Sequence, residues 1–143
     1  MICTDTSFLI SLYGNDEHSA AARTLRAASN EPLVVHPIVD FEYANALRAL
    51  VFRRQIKPEQ CDEWLAYYEG EKRGGFLISA VLDKDAVFAA AAEISAKHTQ
   101  TTGNRAYDIL HIAAAKILGA TEFWSFDGKQ RDLAAAEGLA VGP

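Results

Sequence analysis

Two hydrophobic periods alternate along this chain. Short apolar runs of strand length (MICT, PLVV, FLI, EFWSF, GLAV) are separated by segments whose apolar residues recur every three or four positions. The second spacing is that of a helix with one buried face. MICTD predicts a first strand ending in an acid, and TSFLISLYG then places Phe8, Leu9, Leu12 and Tyr13 at helical spacing. Thr6 can cap that helix and Gly14 can stop it. DEHSAAARTLRAAS predicts a second helix with Ala21, Leu25 and Ala28 on its inner face, followed by the strand PLVVH. Pro37 opens a longer helix over roughly 38–53, and Pro58 opens another through KPEQCDEWLAYYEGEKR.

Gly74 and Gly75 turn the chain into FLIS, a brief strand. An alanine-rich helix over about 84–99, a TTGN loop and a helix beginning in RAYDILHIAAA come next. The strand ATEFWSF, the helix GKQRDLAAAE and the short strand GLAVG complete the pattern. Alternating short strands and helices predict an α/β sandwich with a mostly parallel central sheet of about five strands. Open sheets of this kind carry their sites beyond the carboxyl ends of the strands.

At 143 residues, half of them hydrophobic, the chain is expected to form a single domain spanning 1–143 with one well-buried core. No apolar run approaches the ~18 residues of a membrane span. MICTDTSFLI lacks the basic region and small-residue cleavage site of a secretory leader, so a cytoplasmic location and no membrane association are expected. Cys3 and Cys61 have no metal-type spacing and imply no disulfide framework, and His18, His36, His98 and His111 show no paired ligand spacing. A net charge of −5 argues against nucleic-acid binding through overall charge. It leaves open an enzyme that gathers acids around a cation.

Four acids stand where acids are costly. Asp5 and Asp127 each follow an apolar strand, at its carboxyl end; taken singly, either can be a helix cap or turn aspartate. Glu42 lies on the stripe formed by Val39, Ala46 and Leu50, while Asp40 reads as a first-turn acid near the helix dipole. The simpler role for Glu42 is a partly exposed acid paired with Arg48 or with another helix. Asp108 repeats the pattern, three residues before His111 on a face shared with Ile112 and Ala115. A shared site explains all four. Clustered carboxylates repel one another, a divalent cation removes the conflict, and an all-oxygen donor set selects Mg²⁺ or Mn²⁺ over zinc.

TDTSFLI, DFEYANAL, TTGNRAYDILHIAAAKILGATEFWSFD and GKQRDLAAAEGLAV together resemble the PIN-domain family, most closely the VapC-type toxins of bacterial toxin–antitoxin pairs. The resemblance covers nearly the whole chain. It implies a sandwich of five-stranded parallel sheet between helices, and a Mg²⁺-dependent endoribonuclease in which Mn²⁺ can substitute. The family's metal-site acids fall on Asp5, Glu42, Asp108 and Asp127, with Thr6 and Ser125 as the small hydroxyl residues beside them. Asp5 and Asp127 are expected to be inner ligands, because strand ends are rigid mounts. Glu42 and Asp108 would hold waters or a second ion, with Glu42 a proton acceptor. Where many relatives carry a further acid this chain has GKQRD, which makes Asp132 a doubtful fifth member. The implied partners are an RNA substrate, a cognate antitoxin and a second copy of the chain.

His111 is expected to support Asp108 rather than touch RNA. Arg48, Arg53, Arg54 and Lys57 crowd the end of the Glu42 helix, where they can complement its dipole, steer RNA or meet an antitoxin. Trp64, Tyr67 and Tyr68 suit core packing, and the corresponding helices of relatives help form the antitoxin groove. Two other enzyme readings fit poorly. A haloacid-dehalogenase-like phosphatase needs a second acid at position 7, which is Ser, and a receiver domain needs neighbouring acids that CTDTS lacks. A PIN-fold module that binds RNA or protein without cutting is the alternative from a different class; such modules typically lack one or more of the acids.

Overall fold

The computed structural model describes all 143 residues, Met1 to Pro143. The strands are β1 (Ile2–Thr4), β2 (Leu33–Val35), β3 (Leu77–Ser79), β4 (Glu122–Trp124) and β5 (Ala140–Gly142). The helices are α1 (Thr6–Tyr13), α2 (Ser19–Ala28), α3 (Pro37–Phe52), α4 (Pro58–Arg73), α5 (Lys84–Thr102), α6 (Ala106–Ile117) and α7 (Gly128–Ala136). Every strand pairing is parallel and the order is β3-β2-β1-β4-β5, so the sheet is parallel throughout rather than mostly so. Register is set in the centre, where Cys3 lies opposite Val34 on one side and Phe123 on the other.

Successive strand side chains point to opposite faces, and this divides the core in two. Ile2, Leu33, Val35 and Trp124 pack with Phe8, Leu9, Val39, Tyr43, Leu47 and Tyr68 beneath α1, α3 and α4. Cys3, Val34 and Phe123 pack with Val87, Ile94, Ile112 and Leu133 beneath α5, α6 and α7. Helices on both faces of one parallel sheet make the three-layer α/β/α sandwich expected from the strand–helix alternation. Its β1–α1 and β4–α7 turns leave from adjacent strands at their carboxyl ends, which is what brings Asp5 and Asp127 together.

Three local expectations change. The inner face of α2 is Ser19 and Ala22, with Leu25 partly buried, while Ala21 is exposed. In a helix of small residues, polarity alone marks the face weakly. Helix α5 continues through Thr101 and Thr102, whose hydroxyls donate back to the His98 carbonyl. It ends at Gly103, in the left-handed conformation (φ 64°) that glycine adopts without a Cβ penalty. In α3 the buried stripe is Val39, Tyr43 and Leu47, with Ala46 and Leu50 only partly buried; Glu42 lies at its edge.

A carboxylate network at the sheet edge

Asp5 follows β1 directly and its side chain is almost wholly enclosed, with the residue 3% exposed. It caps α1 by accepting from the Phe8 amide at 3.0 Å. The hydroxyls of Ser7 (2.8 and 2.9 Å) and Ser125 (2.8 Å) also donate to it. Burial nevertheless pushes its pKa above the ordinary value, against the lowering effect of those hydrogen bonds and of the His111 charge. The two serines also join the neighbouring turns: the Phe126 amide donates to Ser7 Oγ and the Asp127 amide to Ser125 Oγ, each at 2.9 Å.

Asp127 caps α7, taking the Lys129 and Gln130 amides on Oδ1 at 2.9 and 3.2 Å. Its Oδ2 faces Arg105 Nη2 at 3.5 Å. Both strand-end aspartates therefore hold helix caps, as a single-residue reading of each allowed, while belonging to one cluster. Glu42 reaches in from α3, half-exposed. Thr6 Oγ1 and His111 Nε2 (2.6 Å) both donate to its Oε2. Burial raises the Glu42 pKa, but the hydrogen bonds from His111 and Thr6 and the charges of His111 and Arg105 outweigh this and leave it lowered.

Asp108 is buried at the start of α6, its carboxylate turned back to its own helix terminus. It accepts from the Arg105 amide (3.1 Å), from Arg105 Nε on Oδ2 (3.2 Å) and from Nη2 on Oδ1 (3.3 Å). That orientation corrects the expectation for His111, whose ring bonds Glu42 across the α3–α6 interface and not Asp108. Thr6 likewise serves Glu42 rather than its neighbour Asp5, whereas Ser125 does meet Asp5. Behind His111 lies His36, the N-cap of α3, whose Nδ1 accepts from the Val39 amide at 3.4 Å. The two imidazole centroids are 5.8 Å apart. Burial, then the charge of His111, lower the His36 pKa to about 4.

The basic residues expected at the end of the Glu42 helix stand away from the carboxylates. Arg48, Arg53, Arg54 and Lys57 are exposed along the last turns of α3 and the turn into α4. With a rise of 1.5 Å per residue, Arg53 lies about 16 Å along the helix axis from Glu42. Asp132 is exposed on α7 and lines a separate cavity with His98, Thr102, Asn104 and Lys129. The cation in the network is Arg105, and a hydrogen bond to Asp108 raises its pKa further. A positive side chain at a helix N-terminus opposes the dipole, and that misfit is the sequence signal for it. Ser7, two residues after Asp5, and Gln130, whose Nε2 donates to the Asp108 carbonyl at 3.3 Å, are further parts the sequence reading passed over.

The donor set suits a hard divalent cation: four carboxylates and two serine hydroxyls, with no thiolate. The side chains as they stand form no ready group of three or more His, Cys, Asp or Glu ligands, and Arg105 lies against both Asp108 and Asp127.

The fold has solved counterparts. Mycobacterium tuberculosis VapC20, a sarcin–ricin loop cleaving toxin, is similar over 100% of both chains at 21% identity, with a TM-score of 0.74. FitAcB from Neisseria gonorrhoeae is similar at 18% identity and a TM-score of 0.64, over 100% of this chain and 97% of that one. The FitAB structure bound to the IR36 DNA fragment matches at 18% and 0.68, over 99% and 94%. No curated protein matches the sequence. The PIN domain family model matches residues 2–136, which takes in all seven helices and four of the five strands; the chain belongs to the PIN domain family.

Proposed function

We propose that this chain is a divalent-metal-dependent endoribonuclease that hydrolyses RNA phosphodiester bonds with an activated water, and that it is the toxin of a type II toxin–antitoxin pair. The observation that carries the reading is that Ser125 and Arg105 link Asp5, Asp127 and Asp108 by hydrogen bonds at the carboxyl ends of the strands, while Thr6, the residue next to Asp5, and His111 hold Glu42 beside them. Similarity in fold to a toxin that cleaves the sarcin–ricin loop supports RNA as the substrate class.

Mg²⁺, with Mn²⁺ as a substitute, would be held by Asp5 and Asp127, and when bound supplies a water of lowered pKa and a countercharge for the phosphate. The chain's own residues do the rest. Thr6 and His111 both grip Oε2 of Glu42, which fixes the carboxylate and leaves Oε1 to accept a proton from the attacking water. Ser7 and Ser125 donate to Asp5 and so favour its charged form against the opposing effect of burial. Asp108 positions Arg105, whose exposed guanidinium is a countercharge for the scissile phosphate.

A protein partner has a ready surface. Leu12, Tyr13, Trp64, Tyr67 and Phe76, with the charged pairs Arg23 and Arg26, Glu63 and Glu71, line a groove of about 550 Å³ between α1, α2 and α4. Tyr68 is core, as expected, but Tyr67 is largely exposed, and the groove suits an antitoxin segment with apolar side chains. A homodimer is the further expectation; exposed Val81 and Phe88 offer it an apolar contact. No helix is long and apolar enough to cross a membrane.

The test is cleavage of single-stranded RNA by the purified chain with Mg²⁺ and with a chelator. Metal-dependent cutting that falls at least a hundredfold in Asp5→Asn and Asp127→Asn supports the reading. RNA binding without metal-dependent cutting would identify a binding module instead.

A further inference from the structure

Beside the carboxylates lies a second cavity of about 340 Å³, lined by Ser7, Ile10, Ser11, Asp16, His18, Phe126 and Asp127. It touches the network at two points, since Asp127 is one of the four acids and Ser7 donates to Asp5. One wall is a column of parallel rings. Phe8, in the core, stacks on Phe126 with centroids 5.8 Å apart and planes 12° apart. Phe126 in turn stacks on His18 at 4.4 Å and 7°. The column runs from the core to the surface and ends in His18, whose side chain is about half-exposed.

We infer that this cavity is a nucleobase subsite, in which a base of the RNA beside the scissile phosphate stacks against His18 and extends the Phe8–Phe126–His18 column. The inference rests on the ribonuclease reading above and names how that site holds its substrate. Three features support it. A stacked ring with a free outer face is the common means by which proteins hold splayed single-stranded bases, His included. The acidic groups lining the cavity are Asp16 and Asp127, so a phosphate is repelled and the uncharged base is the part of a nucleotide that enters. The stack is also rigidly mounted. Phe126 is held by the hydrogen bond its backbone N–H donates to Ser7 Oγ, and the His18 amide donates to Asp16 Oδ1 at 2.9 Å, a carboxylate also held by Ser11 and Ser19.

The test is cleavage of a randomised single-stranded RNA pool by the full chain with Mg²⁺, with the cut ends sequenced. Wild type is expected to show skewed base composition at one position next to the cut. His18→Ala should flatten that skew and raise KM about tenfold, and His18→Phe, which preserves the stack, should keep both near wild type. Replacing that base by an abasic residue should weaken wild type about tenfold and leave His18→Ala unaffected, the non-additivity expected of a direct contact. If wild type cuts but His18→Ala shows the same profile and KM, the subsite is overturned and the nuclease reading stands. If His18→Ala weakens only association with an antitoxin, the cavity serves a protein and the inference is likewise overturned. A wild-type chain that cuts no RNA overturns both.

Discussion

Arg105 holds Asp108 by two hydrogen bonds, from Nε to Oδ2 at 3.2 Å and from Nη2 to Oδ1 at 3.3 Å, while the same Nη2 faces Asp127. One guanidinium thus neutralises a corner of the cluster that a metal ion would otherwise neutralise. On the proposed reading the two cations would compete for the same oxygens. Arg105→Ala is therefore expected to bind Mg²⁺ several-fold more tightly than wild type, and to gain more in melting temperature from millimolar Mg²⁺. Without metal it should be less stable, by under about 1 kcal/mol because the guanidinium is 76% exposed. Calorimetric titration and thermal melts measure both. Equal affinities in the two proteins would show that Arg105 does not shield the acids.

Asp5 presents the opposite case, a carboxylate whose burial works against its charge. Its pKa is raised in the folded chain, so the native state binds the proton more readily than the unfolded state. The resulting stability is present at low pH and is lost as pH rises through the folded pKa. At neutral pH and without metal, Asp5→Asn should melt above wild type, because asparagine still caps α1 and carries no charge. The same variant should lose the Mg²⁺-induced rise in melting temperature. A variant less stable than wild type in a chelator would contradict the buried-charge account.

These residues also show what the sequence could and could not disclose. The sheet was legible because strand-length apolar runs such as PLVV and EFWSF have few other stable uses in so short a chain. Asp5 and Asp127 were legible because each directly follows such a run. The cooperation of Ser7 with Ser125 was not, since it depends on β1 pairing with β4 across more than a hundred residues. His111 was assigned to Asp108 because sequence spacing measures neighbours on one helix. Its actual partner, Glu42, sits on another helix, where only packing decides. The inner face of α2 was misplaced for a related reason: alanine is tolerated on either side.

His36, behind His111, contributes a pH dependence beside the same carboxylates. It is buried, with its pKa lowered to about 4 from an ordinary 6.5. Between those values the unfolded chain binds the proton and the folded chain does not. Stability from this group is therefore complete above about pH 6.5 and is lost as pH falls towards 4. At pH 5 the loss amounts to about 2 kcal/mol. His36→Asn retains a cap for the Val39 amide and does not titrate, so its urea midpoint should change less between pH 7 and pH 5 than that of wild type. Parallel profiles for the two proteins would remove His36 as the cause.

Glu137 ties three elements together at the far side of the molecule. It lies at the end of α7, and its side chain is only 5% exposed. The carboxylate accepts from Lys97 Nζ at 2.9 Å and His98 Nε2 at 2.7 Å on α5, and from Lys116 Nζ on α6. Burial alone would raise its pKa, yet the bonds from Lys116, Lys97 and His98 outweigh that and lower it to about 2. For an acid with a depressed folded pKa, the stabilisation is present above the unfolded value near 4.5 and disappears as pH falls through about 2. Glu137→Gln should thus cost about 2 kcal/mol at pH 7, after allowance for screening of the exposed lysines, because it leaves their charges unpaired. The gap from wild type in urea denaturation should narrow as pH falls from 4.5 towards 2. A cost that stayed constant over that range would mean that Glu137 acts by shape and hydrogen bonding, with its charge contributing nothing.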